Sequence, residues 1–483
     1  MKLYNSLTRK KEEFKPLASL AVIAPQLSNP LKEKQAGIYT CGPTVYNVAH
    51  IGNLRSFIFA DVLQQTLKFN NYQVNWVMNI TDIDDKTIRD SRIKYPEIKP
   101  MEALLKFTKE YEKLFWEDLK KLNIEKPDKT PHATEFIPQM QKLIIKILEA
   151  GYGYEKDGSF YFNIRKYSKE FKYGNLIELN LSQLKSAKRI QADEYEKEEI
   201  QDFVLWKTAK NNEPSWDFSY QEKNYPGRPG WHIECSAMSH EYLGIPFDIH
   251  TGGVDLKFPH HENEIAQSAA GYGEKKLANF FLHNEHILVD NEKMSKSKKN
   301  FYTIEDVKNK GFNPLSFRYF VLNAHYRSKL NFTWQGLKAA QNALNNLYSE
   351  YQNLIEKNPP SPPFEKGGLK DDSKKYRQQF LNALNNDLNT PQALAIMWEM
   401  IKDENLSAGE KKNLLLEFDK IFGLGLTDLK PVEIPENIKK LAEQREQLRQ
   451  EKKWDEADEI RKKIEDLGFK IEDTDNGFAV KKL

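Results

Sequence analysis

The segment from Gly37 to Ile80 constrains the fold more than any other. Gly37 to Gly42 is a short apolar run ending in a Gly-Pro turn, and Leu54 to Phe69 carries apolar residues at near-helical spacing. Tyr72, Val74, Trp76, Met78 and Ile80 then alternate with mostly polar neighbours, the period of a strand. Parallel strands need a crossover between them, so the order strand, helix, strand predicts an α/β, doubly wound parallel sheet of Rossmann type.

That pattern is interrupted and then resumes. From about Lys126 to Tyr225 the sequence is mixed and highly charged, with Phe203 to Trp206 its clearest apolar run, and reads as an insertion. Phe247 to His250, a Gly252-Gly253 turn and a helix opened by Pro259 restore the sheet signals. Past about Thr333 the chain is helical, in Leu337 to Leu354 and Tyr376 to Ile401. Between these helices Asn358 to Gly368, rich in Pro and Gly, is expected to be an exposed, mobile loop. After Pro435 two helical stretches broken near Glu451 to Trp454 precede strand patterns at Phe469 to Asp473 and Gly477 to Val480. The expected division is 1–125 and 226–290 for the halves of the split sheet domain, 126–225 for the insertion and 291–345 for a segment opened by a lysine-rich loop. Residues 346–428 then form a helical bundle and 429–483 a small terminal module.

Composition narrows the class. With 39% apolar and 29% charged residues in 483, the chain has the make-up of a water-soluble globular protein. It lacks both the roughly 20 uninterrupted apolar residues of a membrane span and, in Met1 to Lys11, the apolar core of a signal peptide, so no membrane partner and a cytoplasmic location are expected. The net charge of +2 neither demands nor excludes nucleic acid. The two cysteines, Cys41 and Cys235, are open to three readings: buried residues, one disulfide, or metal ligands.

Two segments suit a nucleotide. His50-Ile-Gly-Asn53 lies between the first strand and its helix, where helix N–H groups meet phosphate, Gly52 permits close approach and His50 donates hydrogen bonds. Lys293-Met-Ser-Lys296-Ser comes after the apolar run Ile287 to Val289 and is a cationic loop suited to a departing phosphate chain. Either alone is weak, since lysine-rich surface loops are common. His260 and Glu264, four residues apart on a predicted helix, share one face: half of a zinc site that two thiolates would complete, or else a surface ion pair. On that helix His261 and Glu262 are expected to point elsewhere, which separates the pattern from a zinc protease.

The two nucleotide segments, in this order and each beside a predicted strand, resemble the HIGH and KMSKS signatures of class I aminoacyl-tRNA synthetases. Asn53 stands in place of the second histidine and Lys298-Lys299 in place of the usual Leu-Gly; an asparagine still donates a hydrogen bond but carries no charge. The surroundings of the cysteines, Thr40-Cys-Gly-Pro-Thr-Val-Tyr46 and Gly230-Trp-His-Ile-Glu-Cys-Ser-Ala-Met238, with Asn79 to Lys86 and Phe247 to Asp255, resemble the cysteinyl-tRNA synthetases specifically. That resemblance implies an enzyme that activates L-cysteine with ATP and Mg2+ and passes it to tRNA(Cys), acting as a monomer. It implies one Zn2+ held by Cys41, Cys235, His260 and Glu264, and a cysteine pocket of Thr81, Trp231, His250 and Asp255. It further implies catalytic roles for His50, Asn53, Lys293 and Lys296, with Gly52, His50 and Lys296 binding ATP. No carboxylate set for the magnesium is legible.

The tail interleaves Lys439-Lys440, Arg445, Arg449, Lys452-Lys453, Arg461 and Lys462-Lys463 with Trp454, a mixture that suits RNA as well as a solvated helical face. Trp454, Ala457, Asp458, Ile460, Arg461, Gly468 and Asp473 resemble the anticodon-binding tail of the same family, which makes tRNA the expected partner of 346–428 and 429–483. Two other readings fit part of the chain. One is a ligase joining activated cysteine to an amino-sugar, which would lack the C-terminal region; the other is a non-catalytic zinc-dependent tRNA-binding protein.

Overall fold

The computed structural model describes residues 1–17, 34–177, 202–294, 300–357, 371–429, 435–474 and 477–482. Lys296, Lys298-Lys299 and the proline-rich stretch 358–368 lie outside the described residues. The chain divides into two units, one of Met1–Gln341, Gln378–Ile396 and Lys420–Leu424, the other of Asn342–Arg377, Met397–Asp419 and Gly425–Leu483.

The first unit is built on four parallel strands. β1 (Lys34–Thr40) leads through residues 41–50 into α1 (Ile51–Phe69), and β2 (Tyr72–Met78) returns beside β1 with Thr40 opposite Met78. After α2 (Asp85–Lys94), α3 (Pro100–Lys121) and α4 (Ile137–Glu149), the insertion forms its own antiparallel sheet. Its strands β3 (Gly153–Lys156), β4 (Ser159–Phe162), β5 (Phe203–Thr208) and β6 (Gly227–Pro229) run in spatial order β6, β5, β4, β3. α5 (Trp231–Leu243) brings the chain back to β7 (Phe247–Gly253), which pairs in parallel with β1. α6 (His260–Tyr272) then crosses over to β8 (Ala278–Asn284), parallel to β7 on its far side.

The central order is therefore β8, β7, β1, β2, with the chain winding one way from β1 and the other way from β7. Connections leaving the carboxyl ends of β1 and β7 diverge, and in open parallel sheets a ligand crevice forms at such a reversal. A polar ladder crosses the sheet beneath it: Trp76 Nε1 donates to Thr40 Oγ1 at 2.9 Å, and Thr40 Oγ1 lies 2.8 Å from Thr251 Oγ1. Nearer the amino ends the buried Asp248 accepts from the Gly37 and Leu17 amides, and burial pushes its carboxyl up to about 6.

Two sequence expectations are corrected. Gly252-Gly253 is not a turn but the end of β7, its backbone paired with His283 and Asn284 of β8; a Cβ on Gly252 would come within 2.9 Å of His261 Cε1. The helical run from Tyr376 to Ile401 is two helices, Asp371–Asn385 and Thr390–Lys402. Asp387 and Leu388 between them take left-handed φ of 67° and 54°, and the Asp387 carboxylate accepts from Tyr4 N and Tyr326 Oη. Those long-range bonds outweigh local helix preference.

In the second unit, helices Glu436–Gln450 and Trp454–Asp466 pack with an antiparallel hairpin, Phe469–Thr474 with Gly477–Lys482. Their small core is Ile438, Ala442, Ile464, Phe469 and Ile471. Arg445 and Arg449 both pair with Asp473, whose carboxyl they draw down to about 2. No helix of the described residues is long and apolar enough to cross a membrane.

Candidate active site and metal centre

A cleft of about 380 Å³ opens at the reversal between β1 and β7. Its lining includes Cys41, His50, Gly52, Asn53, Trp231, Asp255 and Lys293, contributed by segments far apart in sequence. Thr81 and His250, expected beside the substrate, are 2% and 0% exposed and are not among the lining residues.

At the amino end of α1, His50 is the N-cap in extended conformation. Its Nδ1 accepts from Asn53 N at 3.1 Å while Asn53 Oδ1 accepts from His50 N at 3.2 Å, a reciprocal capping box. With Nδ1 used as acceptor, the neutral ring carries its proton on Nε2, the nitrogen left to donate. The ring and tautomer of His50 are thus set by the Asn53 backbone amide, while the Asn53 side chain closes the cap on the His50 backbone. Gly52 is required by space, since a Cβ there would stand 2.5 Å from Met294 Cε. The backbone beyond the lysine loop closes on the same spot, with Ile51 N donating to Tyr302 O at 2.9 Å and the His50 ring set edge-on to Phe301. α1 is itself anchored by Arg55, 1% exposed, whose guanidinium donates to the carbonyls of Glu285, His286, His325, Tyr326 and Ser328.

Behind the cleft lies a buried donor set, of which Cys41 is the member that lines the cleft. One ligand atom each from Cys41, Cys235, His260 and Glu264 lies within 4.8 Å of every other. The sulfurs are 3.9 Å apart, Cys235 Sγ is 3.5 Å from His260 Nε2, His260 Nε2 is 3.2 Å from Glu264 Oε1, and Cys41 Sγ is 3.8 Å from Glu264 Oε1. Tetrahedral zinc with bonds of about 2.0 to 2.3 Å requires ligand–ligand edges of about 3.3 to 3.8 Å, so the four atoms already stand close to the needed spacing. Charge makes the same demand. Burial pushes both thiols up, that of Cys41 strongly, and pushes His260 down to about 3, leaving it neutral with a lone pair to give. Glu264, fully buried, faces two imidazoles, His250 at 2.9 Å and His260, and the Cys41 thiol. A buried carboxylate and two thiols without a cationic side chain form a pocket suited to a divalent cation.

Around these donors runs a shell of histidines. His260 Nδ1 and His232 Nδ1 are 2.8 Å apart, and burial holds both rings neutral, so one of them donates to the other; with His260 as the donor its Nε2 is available to a metal. His250 Nε2 donates to Glu264 Oε2, leaving its buried Nδ1 with no hydrogen-bond partner among the described residues. Thr81 Oγ1 donates to Glu234 Oε2 at 2.7 Å and accepts from Asn79 Nδ2, whose Oδ1 receives the Gly42 amide. Thr81 therefore braces the strand end carrying Cys41.

His261 overturns the expectation that it points away: its Nε2 is 3.2 Å from Cys41 Sγ, and its Nδ1 is 2.8 Å from His283 Nε2, while the other ring nitrogen of His283, Nδ1, lies 2.8 Å from Ser6 Oγ. Successive helical residues are about 100° apart, and Cys41 sits between the faces of His260 and His261. Glu262 does turn away, accepting from the Gly174 and Leu176 amides of the insertion. The sequence held a signal for this shell: His232, His250, His260, His261 and His283 are half of the chain's 10 histidines, all on segments flanking Cys235.

Trp231 packs tilted against the His260 ring, centroids 4.3 Å apart, and forms one wall of the cleft. Asp255 stands at the rim in the 3-10 turn Val254–Lys257, its side chain 57% exposed and 4.0 Å from His286 Nδ1. Lys293 ends the short strand Glu292–Lys293, and Lys296 is not among the described residues.

Comparison with known proteins converges on one family. Residues 27–342 match the family described as tRNA synthetases class I (C) catalytic domain, residues 379–427 the DALR domain, and residues 432–479 the cysteinyl-tRNA ligase anticodon binding domain. A cysteine–tRNA ligase of Brachyspira hyodysenteriae is 41% identical over 99% of this chain and 98% of that protein; one of Leptospira interrogans is 40% identical over 100% and 99%. Among solved structures, methionyl-tRNA synthetase of Mycobacterium tuberculosis aligns with a TM-score of 0.54 at 13% identity, covering 81% of this chain and 90% of that one. A leucyl enzyme of Agrobacterium radiobacter aligns at 0.57 and 10% identity, covering 82% and 84%, which speaks for the shared fold. With the full length matched and a class I catalytic domain laid over the cleft, the chain belongs to the cysteinyl-tRNA synthetase family of class I aminoacyl-tRNA synthetases.

Proposed function

We propose that this cysteine–tRNA ligase selects its amino acid through a zinc ion held by Cys41, Cys235, His260 and Glu264, activates L-cysteine with ATP, and transfers it to the 3′ end of tRNA(Cys). The observation that carries the reading is the close spacing of the four donors, one of which, Cys41, lines the same cleft as His50 and Gly52. Bound there, zinc would supply a coordination position for the thiolate of cysteine, which serine's far less acidic hydroxyl fills poorly and alanine and valine cannot fill. A site that reads one polar group rejects near-isosteres strongly.

The chain's own residues do the rest. Trp231 walls the amino-acid pocket, and Asp255 at its rim offers a carboxylate to the cysteine ammonium. Thr81 and His250 act through Asn79, Glu234 and Glu264 as positioning residues rather than by contact. The cysteine carboxylate attacks the α-phosphate in line while His50 Nε2–H, the α1 amino end and the lysines of Lys293 to Lys296 hold the departing pyrophosphate with its magnesium. The terminal hydroxyl of the tRNA then displaces AMP. The matches at 379–427 and 432–479 favour tRNA over an amino-sugar acceptor. We place the enzyme in the cytoplasm as a monomer.

Cysteine-dependent exchange of labelled pyrophosphate into ATP, run beside serine, tests the activation step; equal exchange with both amino acids rules out thiolate selection. Metal analysis of Cys235→Ala tests the ligand set independently of turnover, and retention of a full zinc equivalent removes Cys235 from it.

A further inference from the structure

One pair of residues in the cleft is used neither by the zinc donors nor by the phosphate-binding elements. Lys86 Nζ lies over the ring of Tyr46, 4.9 Å from its centroid, and both residues line the cleft. Each is held by backbone rather than by the other. Tyr46 follows Val45, whose amide donates to Thr81 O at 3.1 Å, and its own amide donates to Thr44 O. Lys86 stands in the first turn of α2, where Asp84 caps the helix through the Thr87 amide and Asp85 is clamped by Lys207 and Arg228. The ring and the ammonium are thus delivered from two rigid segments, the β1–α1 connection and the start of α2.

Three substrates must enter this cleft. The cysteine side chain is matched by the buried donors, and ATP by the α1 amino end with Gly52, Met294 and Phe301 around it. The third, the terminal nucleotide of the tRNA, presents a base with two π faces and a phosphodiester, and an aromatic ring beside a lysine is the pairing that binds such a unit without reading its sequence.

Resting on the tRNA-charging reading above, we infer that Tyr46 and Lys86 form the docking platform for the 3′-terminal nucleotide: the phosphodiester draws Lys86 off the ring and the base stacks on Tyr46 in its place. The contact of the ammonium with the aromatic face, one of those exchanged, is worth about 0.5 to 2 kcal/mol. In the free enzyme the lysine keeps the ring face covered. In the complex the ring gains a base and the lysine gains an anion.

The test separates the two chemical steps. Enzyme loaded with cysteinyl-adenylate is mixed with tRNA and single-turnover transfer is followed, alongside cysteine-dependent pyrophosphate exchange without tRNA. Tyr46→Leu and Lys86→Gln are each expected to slow transfer at sub-saturating tRNA roughly tenfold more than they slow exchange. Tyr46→Phe, which keeps the ring, is expected to stay near the parent. Lys86→Gln, at a half-buried position outside the core, carries the test if Tyr46→Leu does not fold. Exchange falling in step with transfer, or a raised KM for ATP, would assign the pair to the adenylation step and overturn the inference, as would transfer unchanged in both variants. Failure of exchange in the parent enzyme would instead refute the charging reading.

Discussion

Asn53 offers the sharpest test of how the phosphate site works. If its role is to close the capping box on His50, then Asn53→Ala removes one acceptor, Oδ1 for His50 N, and leaves the Asn53 amide that donates to His50 Nδ1 in place. Losing half of such a cap costs about 1 kcal/mol, and at about 1.4 kcal/mol per tenfold the closed cap, with the His50 backbone in place, would fall about fivefold in relative population. His50→Ala removes the donor itself and should cost about a hundred- to a thousandfold in turnover, the usual loss for a donor aimed at developing charge. The assay is pyrophosphate exchange at saturating cysteine and ATP, with Asn53→Asp as a second variant that keeps the cap. Asn53→Asp adds a negative charge next to the phosphates, so it should preserve thermal stability and still lose exchange. An Asn53→Ala enzyme as slow as His50→Ala would refute the reasoning, because Asn53 would then meet the phosphate directly.

Three further perturbations bear on the frame that holds the site. Arg318→Leu leaves the buried Asp61 carboxylate without its 2.6 Å partner and the Leu122 and Asn123 carbonyls without a donor, so denaturant unfolding should show a loss of about 3 to 5 kcal/mol. Gly42→Ala would set a Cβ 1.6 Å from Asn79 O, displacing the strand end that carries Cys41; zinc content measured by metal analysis should fall below half an equivalent. His132 Nε2 pairs with Glu112 at 3.0 Å: the hydrogen bond to Glu112 raises the imidazole above its usual range, outweighing burial. Burial pushes the Glu112 carboxyl up, but hydrogen bonds from His132 and Trp116 outweigh it and the carboxyl ends below its usual range. The histidine's contribution is complete below its unfolded value of about 6.5 and is lost as pH rises through the elevated folded value; the glutamate's is complete above about 4.3 and is lost on acidification. The gap in stability between the parent and His132→Gln, of about 0.5 to 1 kcal/mol at pH 6, should therefore close by pH 9 in denaturant titrations.

Periodicity made the parallel sheet legible because β1, α1 and β2 are contiguous and each has a distinct repeat. It failed where distant partners override local preference. Gly252-Gly253 has the composition of a turn, yet pairing with β8 makes it strand, and Asp387 breaks a helix because Tyr4 and Tyr326, remote in sequence, need its carboxylate. Helical spacing pointed to His260 and Glu264 sharing a face, and the family resemblance to their grouping with Cys41 and Cys235; the four ligand atoms do cluster. The shell was not legible: whether His261 meets Cys41 depends on where the end of β1 falls across the face of α6, which no spacing encodes. His50 shows the complementary limit. A signature gives its identity, while the nitrogen that donates is known only from seeing Asn53 N on Nδ1.

If cysteine is read by the proposed zinc, the placement of Cys41 would couple amino-acid choice to phosphate chemistry. Residues 41–50 form one unbroken connection from one of the donors to the helix cap at the phosphate site, and it is pinned along its length: Cys41 N to Thr251 O, Gly42 N to Asn79 Oδ1, Val45 N to Thr81 O and Ile51 N to Tyr302 O. A thiolate held beside Cys41 would thereby set where the carboxylate of the same molecule lies relative to His50. Near-attack geometry is sensitive to errors of about 1 Å, so an amino acid that is not held there would lose rate as well as affinity. Selection at the proposed zinc should therefore act on kcat and KM together.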